Sequence, residues 1–310
     1  MCVIWGIPYL LIRVAVRDVE PGTLLFLRTG IGGLILLPLA LRRGGFGPVL
    51  RRWRWLLAFT VIEMGIPWLF LSDAERKLSS SVSGLLVAAV PLVGVLVAHL
   101  TKSEERFDRW QLAGLVLGLA GVGMLVGLDF SQVSTGALLE VLVVVIGYAT
   151  APVIMARRLS DLPAIPVVSA SLLLVAIGYL PYAAFHRPSH PSAHVVESVA
   201  TLAVVCTAVA FVVFFALVAE IGPSRGVIIT YVNPAVAVLL GVTLLSEKFT
   251  LGMGIGFPLI LAGSVLGARR KVEAVVQSIA TEPDAVSNVA VSSPVPSSVE
   301  AQSTSIPSSG

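Results

Sequence analysis

The sequence predicts an all-α integral membrane protein in which ten transmembrane helices form two inverted five-helix repeats, followed by a disordered C-terminal tail. Hydrophobic residues make up 56% of the 310-residue chain and charged residues only 13%, whereas about a quarter of the residues in a soluble domain are charged. The apolar residues form runs close to the roughly 20 residues that a helix needs to cross a bilayer. One long pattern of such runs also occurs twice.

The repeated pattern consists of an apolar run with a central proline, a short charged loop and a glycine-rich apolar run. The first copy covers about residues 78–127 and the second about residues 221–267. Pro91 aligns with Pro234, and a loop glutamate and several glycines follow in the same order. Two such units in one hydrophobic chain indicate an internal duplication, which is how many carriers are built.

Ten apolar segments follow one another along the chain. They cover residues 2–16, 22–41, 54–72, 80–100, 110–128, 136–156, 163–185, 197–219, 224–245 and 250–268. We assign the first five to a repeat at residues 1–128 and the others to a repeat at 136–268. Because five is odd, the repeats are expected to lie in opposite orientations across the membrane. Residues 269–310, rich in Ser, Val, Ala and Pro, are predicted to be a disordered cytoplasmic tail.

The basic residues predict the orientation of these segments. Most of the 21 lysines and arginines lie in loops that follow even-numbered segments. Cytoplasmic loops carry the excess of basic residues, so both termini of this multi-pass protein are predicted on the cytoplasmic side of the cell membrane. The net charge of +3 is small and no basic block contains interleaved aromatic residues, which argues against nucleic acid as a partner.

Several kinds of chemistry are absent from the sequence. Cys2 and Cys206 lie far apart in apolar segments, so neither a disulfide nor a metal site is predicted. The histidines within residues 186–194 are separated by prolines that would break an aligning helix. No Walker, HExxH or CxxC motif occurs, and the absence of a Walker motif excludes an ATP-driven pump within this chain. We therefore expect a protein that is not an enzyme and needs no cofactor.

Glu63 is the strongest candidate for a functional residue. It lies in the middle of the third segment, where a carboxylate costs about 2.5–3.5 kcal/mol and usually faces a cavity or a partner. Burial favours its neutral form, so Glu63 can bind and release a proton. The alternative is a structural ion pair or polar contact. Gly65 and Pro67 follow and are expected to loosen the helix, which suits a cavity wall.

Two arginines also lie within the predicted segments. Arg13 is near the outer end of the first segment, and Arg28 is deeper in the second. Both side chains can extend to the lipid headgroups, which is favoured for Arg13. Alternatively, either arginine neutralises Glu63 or holds an anionic group of the substrate, and for Arg28 both alternatives stay open.

Two prolines mark further candidate positions. Pro91 and Pro234 each remove a backbone donor in mid-segment, which kinks the helix and frees a carbonyl group. Asn233 and Tyr231 make the region of Pro234 the most polar point of the ninth segment. We expect these groups to line a cavity, and the alternative is a hydrogen bond between helices.

Aromatic and glycine residues complete the pattern. Four aromatic side chains are expected to offer stacking surfaces to a substrate, namely Trp5, Tyr9, Trp68 and Tyr148. The alternative, anchoring at the membrane interface, better fits the tryptophans at segment ends. Glycines spaced four residues apart in the fifth and tenth segments permit close helix packing. These glycines are also compatible with a homodimer in which such segments pack between two copies of the chain.

These segments and landmarks together resemble the EamA family of the drug/metabolite transporter superfamily. The resemblance covers residues 3 to about 268 and rests on Trp5-Gly6, Arg13, Pro21 and Phe26-Leu27-Arg28, with a proline-centred span, a loop glutamate and a glycine-rich span ending each half. Two details depart from the family pattern. Ser103-Glu104 and Ser246-Glu247 stand where the family has Gly-Glu, and Arg13 stands where it usually has lysine.

The resemblance implies a secondary transporter that works by alternating access. It would move a small metabolite or drug-like compound across the membrane, as an exporter, with protons as a candidate coupling ion. Glu63, Asn233 and the nearby aromatic residues would contact the substrate. The alternative is a membrane-embedded enzyme acting on a lipid-linked substrate, which needs a second polar group near Glu63. A receptor or scaffold with a transporter fold is a third interpretation.

Overall fold

The computed structural model describes residues 1–101, 109–128, 134–221 and 228–281, and every regular element in these ranges is a helix. The chain divides into two units, Met1–Arg270 and Lys271–Gly310, and the first unit contains all the residues of the sites described below. The helices are α1 (Cys2–Ala15), α2 (Pro21–Arg42), α3 (Gly47–Arg51), α4 (Trp53–Thr60), α5 (Ile66–Ala74), α6 (Ser80–Val87), α7 (Val90–Thr101), α8 (Arg109–Leu128), α9 (Thr135–Ile154), α10 (Ala164–Phe185), α11 (Ala193–Ala203), α12 (Ala210–Ile221), α13 (Ile228–Leu244) and α14 (Leu251–Thr281).

Seven helical stretches in the described residues are long and apolar enough to cross a membrane. They are Pro21–Arg42, Trp53–Ala74, Ser80–Val97, Arg109–Gly127, Thr135–Leu159, Ala164–Phe185 and Ala193–Glu220. These coincide with seven of the predicted segments. The first, ninth and tenth segments lie in shorter apolar helices, namely Cys2–Ala15, Val232–Leu244 and Leu251–Leu266. The protein is therefore an all-helical, multi-pass membrane protein.

Local signals explain where several of these helices begin and end. Pro21 begins α2, where its missing N–H costs no hydrogen bond. After α2, Gly44 and Gly45 adopt φ values of +109° and +64°, a left-handed conformation that glycine allows and that commonly ends a helix. Ser79 caps α6, because its hydroxyl accepts a hydrogen bond of 3.2 Å from the backbone N–H of Val82.

Three of the long helices contain a π-helical turn that the sequence did not predict. Val61–Gly65 joins α4 to α5, Met155–Leu159 extends α9, and Val204–Val209 joins α11 to α12. Each of these stretches is predicted from the sequence as one uninterrupted segment, so the extra residue of a π turn was not expected. Such turns are rare and are frequent at functional sites. Here the first contains Glu63 and the third contains Thr207.

The helices pack around one buried interior. The principal pairs are α2 with α10, α5 with α9, α1 with α13, and α6 with α13. The π turns at Val61–Gly65 and Val204–Val209 pack against α9, α10, α2 and α1. These contacts place the two irregular turns among α1, α2, α9 and α10, next to the buried apolar clusters.

Glycines bring α8 and α14 into direct backbone contact. A Cβ atom built on Gly121 would lie 2.7 Å from the Ile260 nitrogen and 2.8 Å from the Gly256 oxygen, and one built on Gly263 would lie 2.5 Å from the Gly114 oxygen. Only glycine fits such an approach. These glycines pack against each other within one chain, so they do not argue for a homodimer.

The last described helix is longer than the tenth predicted segment. It runs from Leu251 to Thr281, whereas the segment ends at residue 268. It therefore includes the first residues of the predicted tail, where alanine, lysine and glutamate are good helix formers. Residues 282–310 lie outside the described part of the chain.

Candidate functional site

Glu63 lies on the π turn between α4 and α5. Its Oε2 atom is buried and has no hydrogen-bond partner among the described residues, and no described basic residue forms an ion pair with it. The helix α9 packs directly on this turn, since a Cβ atom on Gly147 would lie 2.5 Å from the Ile62 oxygen and 2.6 Å from the Pro67 ring. The structural ion pair considered from the sequence is therefore absent from the described part of the chain.

Arg28 is a buried cation on α2. Its side chain is 7% exposed, and its guanidinium carbon lies 3.7 Å from the centroid of the Trp68 ring. Its Nε donates a hydrogen bond of 3.0 Å to the Thr207 hydroxyl. That hydroxyl in turn donates to the Leu202 carbonyl at 2.8 Å. Stacking on an indole partly compensates a buried cation, and no described carboxylate pairs with Arg28.

Two tyrosines lie near these charged groups. Tyr9 is 7% exposed and belongs to the same apolar cluster as Cys206. Tyr148 packs against this cluster and also against the cluster that contains Trp68. Tyr148 lies within electrostatic range of both Glu63 and Arg28. The structure thus brings Tyr9, Arg28, Glu63, Trp68 and Tyr148 together.

Glu75 is a buried carboxylate that the sequence analysis missed. It is fully buried, and neither carboxylate oxygen has a hydrogen-bond partner among the described residues. The Arg13 guanidinium donates a hydrogen bond to the backbone carbonyl of Glu75. Arg13 therefore contacts the backbone of Glu75 and does not pair with Glu63. The charged groups that act on Glu75 are Arg13, Arg28 and Glu247. In sequence, Glu75 precedes Arg76-Lys77 and resembles an exposed loop residue.

Glu247 joins the second half of the chain to the first. Its Oε1 accepts hydrogen bonds from the Ser80 backbone N–H at 2.8 Å and the Ser80 hydroxyl at 3.0 Å. Its Oε2 accepts from the Ser81 backbone N–H at 3.0 Å and the Ser81 hydroxyl at 2.5 Å. A carboxylate at the N-terminus of α6 also complements the helix dipole. We call these three residues the Glu247 clamp.

The backbone around the clamp explains why the family pattern has glycine before the loop glutamate. Ser246 adopts φ of +56°, a left-handed conformation that favours glycine, and glycine is the residue that the resemblance leads us to expect there. Gly241 packs against the clamp, since a Cβ atom there would lie 2.8 Å from the Ser80 hydroxyl oxygen and closer still to Glu247 and Ser81.

Further charged contacts link the loops at this end of the bundle. Arg76 pairs with Glu20 at 2.8 Å, and Lys77 pairs with Asp73 at 2.7 Å and with Glu140 at 2.6 Å. The hydrogen bond with Asp73 raises the pKa of Lys77 above its ordinary value. Together with the clamp, these contacts tie the α1–α2 and α5–α6 loops to α9 and to the residues before α14.

The α10–α11 loop is linked to the same end of the bundle. The Ser192 backbone N–H donates a hydrogen bond of 3.0 Å to Asp18, in the α1–α2 loop. This hydrogen bond lowers the pKa of Asp18 below its ordinary value.

Other predicted site residues lie apart from the central group. Trp5 packs on α12, with its ring centroid 4.7 Å from that of Phe214. Asn233 is half-buried on α13. Pro91 is the second residue of α7, just after the interruption that separates α6 from α7, and Pro234 lies inside the unbroken α13. The side chain of Tyr231 lies outside the described part of the structure.

The sequence pattern of the EamA-like transporter family matches residues 1–127 and 135–268. The chain belongs to this family. The uncharacterized inner membrane transporter YedA of Escherichia coli (strain K12) is 28% identical over 257 residues, which cover 80% of this chain and 81% of YedA. The uncharacterized transporter YoaV of Bacillus subtilis (strain 168) is 24% identical over 282 residues, covering 87% of this chain and 96% of YoaV.

A solved crystal structure shows the same fold. It is 22% identical in sequence and superposes with a TM-score of 0.61, covering 86% of this chain and 93% of the other. At this identity the likeness concerns the fold alone. The EamA-like family and the names of its relatives indicate membrane transporters.

Proposed function

We propose that this protein is a proton-coupled secondary transporter that exports a small metabolite or drug-like compound across the cytoplasmic membrane. The observation that carries the proposal is the buried group around Glu63 and Arg28. A carboxylate and a guanidinium lie in the same interior without pairing with each other, and each is costly to bury alone. Ligands that bind them, a proton for one and an anionic group for the other, would offset that cost.

Each residue of the group has a proposed role. Glu63 takes up a proton when the substrate leaves and releases it when the substrate binds. Arg28 holds an anionic group of the substrate, and its stacking on Trp68 fixes the guanidinium plane for that contact. Tyr9 and Tyr148, with Trp68, give flat surfaces to the rest of the molecule. Asn233 and Trp5 extend the path along α13 and α1, and Tyr231 stays a sequence-based candidate for substrate contact.

The proposed architecture is ten spans in two inverted repeats, residues 1–128 and 136–268. The three shorter apolar helices accompany the seven long ones as further spans. Both termini and the arginines of residues 42–54 then lie in the cytoplasm, as the distribution of basic residues favours. The loops joined by the Glu247 clamp lie on the outer side, and alternating access requires these contacts to break.

Transport itself is the first thing to test. We would reconstitute the purified protein in liposomes with an imposed pH gradient and measure accumulation of amino acids, nucleosides and cationic dyes. The proposal expects at least one compound to accumulate above protein-free liposomes, and Arg28→Lys to weaken transport of an anionic or zwitterionic substrate. Accumulation that never exceeds that of protein-free liposomes, together with binding of the same compounds in detergent, would indicate a receptor instead.

A further inference from the structure

A basic cavity lies outside the central site, where the start of α4 meets the end of α9. It has a volume of about 420 Å³ and is lined by five arginines and two tryptophans, all within residues 51–55 and 157–158. The π turn Met155–Leu159 places Arg157 and Arg158 on the cavity wall. The cavity is therefore built from two separate parts of the chain.

Most of the positive charge of this cavity is not neutralised within the described residues. Arg52 pairs with Asp161 through two hydrogen bonds of 2.8 and 2.7 Å. Arg54 and Arg158 have no described carboxylate partner. Arg158 lies 4.4 Å from the Trp55 ring centroid, and Arg54 lies 5.7 Å from that of Trp53. The cavity thus offers several guanidinium groups beside flat indole rings.

A second, apolar cavity begins where the basic one ends. It has a volume of about 400 Å³ and shares Trp53 and Arg54 with the basic cavity. Its other lining residues are Leu57, Ala58, Val61 and Ile62. They follow one face of α4 and of the π turn after it, and Leu57 and Val61 are 44% and 37% exposed. An apolar groove therefore runs along the helix from the basic cavity towards the Glu63 turn.

We propose that the two cavities together bind one anionic phospholipid. The phosphate headgroup contacts the arginines of the basic cavity, and an acyl chain lies along Leu57 and Val61. Guanidinium groups bind phosphate oxygens in pairs, and basic pockets between membrane helices bind anionic headgroups. A soluble phosphate would use the first cavity but not the apolar groove. Because Ile62 precedes Glu63, a bound acyl chain also contacts the turn that carries the proposed proton site.

The test compares two double variants that remove the same charge. Arg54→Gln with Arg158→Gln empties the basic cavity of two unpaired guanidinium groups. Arg42→Gln with Arg43→Gln is the matched control, because these arginines are exposed and lie outside both cavities. Purified protein in an uncharged detergent is titrated with dioleoylphosphatidylglycerol, and bound lipid is counted by native mass spectrometry. Dioleoylphosphatidylcholine and glycerol 3-phosphate serve as comparison ligands.

The proposal expects the cavity pair to weaken phosphatidylglycerol binding about 30-fold, and the control pair to change it less than threefold. Leu57→Gln, which leaves every charge in place, should weaken the same binding without affecting glycerol 3-phosphate. If both double variants lost phosphatidylglycerol binding equally, the lipid would be held by general surface charge and the proposed site would be wrong. If glycerol 3-phosphate bound with the same affinity as phosphatidylglycerol, the ligand would be a soluble anion and the proposed lipid would be wrong. If phosphatidylglycerol binding were unchanged in both the cavity pair and Leu57→Gln, the whole proposal would be wrong.

Discussion

Replacing Glu247 with glutamine is expected to open the end of the bundle that the Glu247 clamp closes. The carboxylate accepts four hydrogen bonds from Ser80 and Ser81, whereas an amide offers one acceptor oxygen and turns its NH2 group towards the remaining donors. Hydrogen bonds to charged groups contribute about 1.5–3 kcal/mol each, and they are not additive. We therefore expect a net loss of about 2–4 kcal/mol, or roughly a 30- to 1000-fold larger open population.

The reporter for this opening is a cysteine at position 83. Ser83 lies on α6 just beyond the clamp and is fully buried, so Ser83→Cys should react slowly with a maleimide in the clamped conformation. In a background with Cys2→Ser and Cys206→Ala, which leaves position 83 as the only cysteine, Glu247→Gln should raise the labelling rate at least 30-fold. Glu197→Gln is the matched control, since Glu197 is 75% exposed.

A second variant disturbs the Glu247 clamp by steric overlap instead of by removing a hydrogen-bonding group. Gly241→Ala keeps every hydrogen-bonding group but places a methyl group against the Ser80 hydroxyl and the Glu247 carboxylate. It should increase labelling of the cysteine at position 83 as well. All variants are compared well below their unfolding temperatures, so that global unfolding does not contribute. Labelling rates within twofold of the parent in both Glu247→Gln and Gly241→Ala would refute the clamp as a closing contact.

Three further predictions concern single positions. Gly121→Ala should lower stability by about 1–3 kcal/mol in reversible detergent unfolding, because its Cβ meets the backbone of α14; Gly123→Ala, with open space around it, should be neutral, and equal effects would contradict the packing. Ser246→Gly should raise stability by about 0.5–1 kcal/mol by relieving the positive φ, and a lowered unfolding temperature would argue otherwise. Asp18 has a pKa lowered by its hydrogen bond from Ser192, so its contribution is present at neutral pH and is lost as the pH falls through that pKa. Asp18→Asn should therefore flatten the acid side of the pH–stability curve, and an unchanged curve would count against that contact.

Part of the central site could be predicted from the sequence because membrane segments make isolated polar residues conspicuous. Glu63 and Arg28 stand out in otherwise apolar runs, and both lie in the interior. Glu75 could not be found in this way, because its neighbours are charged and its burial depends on Arg13 and other distant groups. The sequence also indicated Glu247 as a repeated landmark, but its partners lie in the other half of the chain.

The π turns could not be predicted from the sequence for a different reason. A π turn adds one residue to a helical turn, and segment length and composition, on which the sequence analysis rests, do not register one extra residue. The turns at Val61–Gly65 and Val204–Val209 therefore appear only in the structure. They matter for function because they carry Glu63 and the threonine that holds Arg28.

The most direct test of the account is whether Glu63 carries the coupled proton. Proteoliposomes with an entrapped pH dye are given an imposed pH gradient, and collapse of the gradient is followed when amino acids, nucleosides or cationic dyes are added. We expect a transported compound to collapse the gradient with wild-type protein and with Glu197→Gln, but not with Glu63→Gln. Collapse at the wild-type rate in Glu63→Gln, with its loss in Glu75→Gln, would contradict the central claim and move the proton to Glu75.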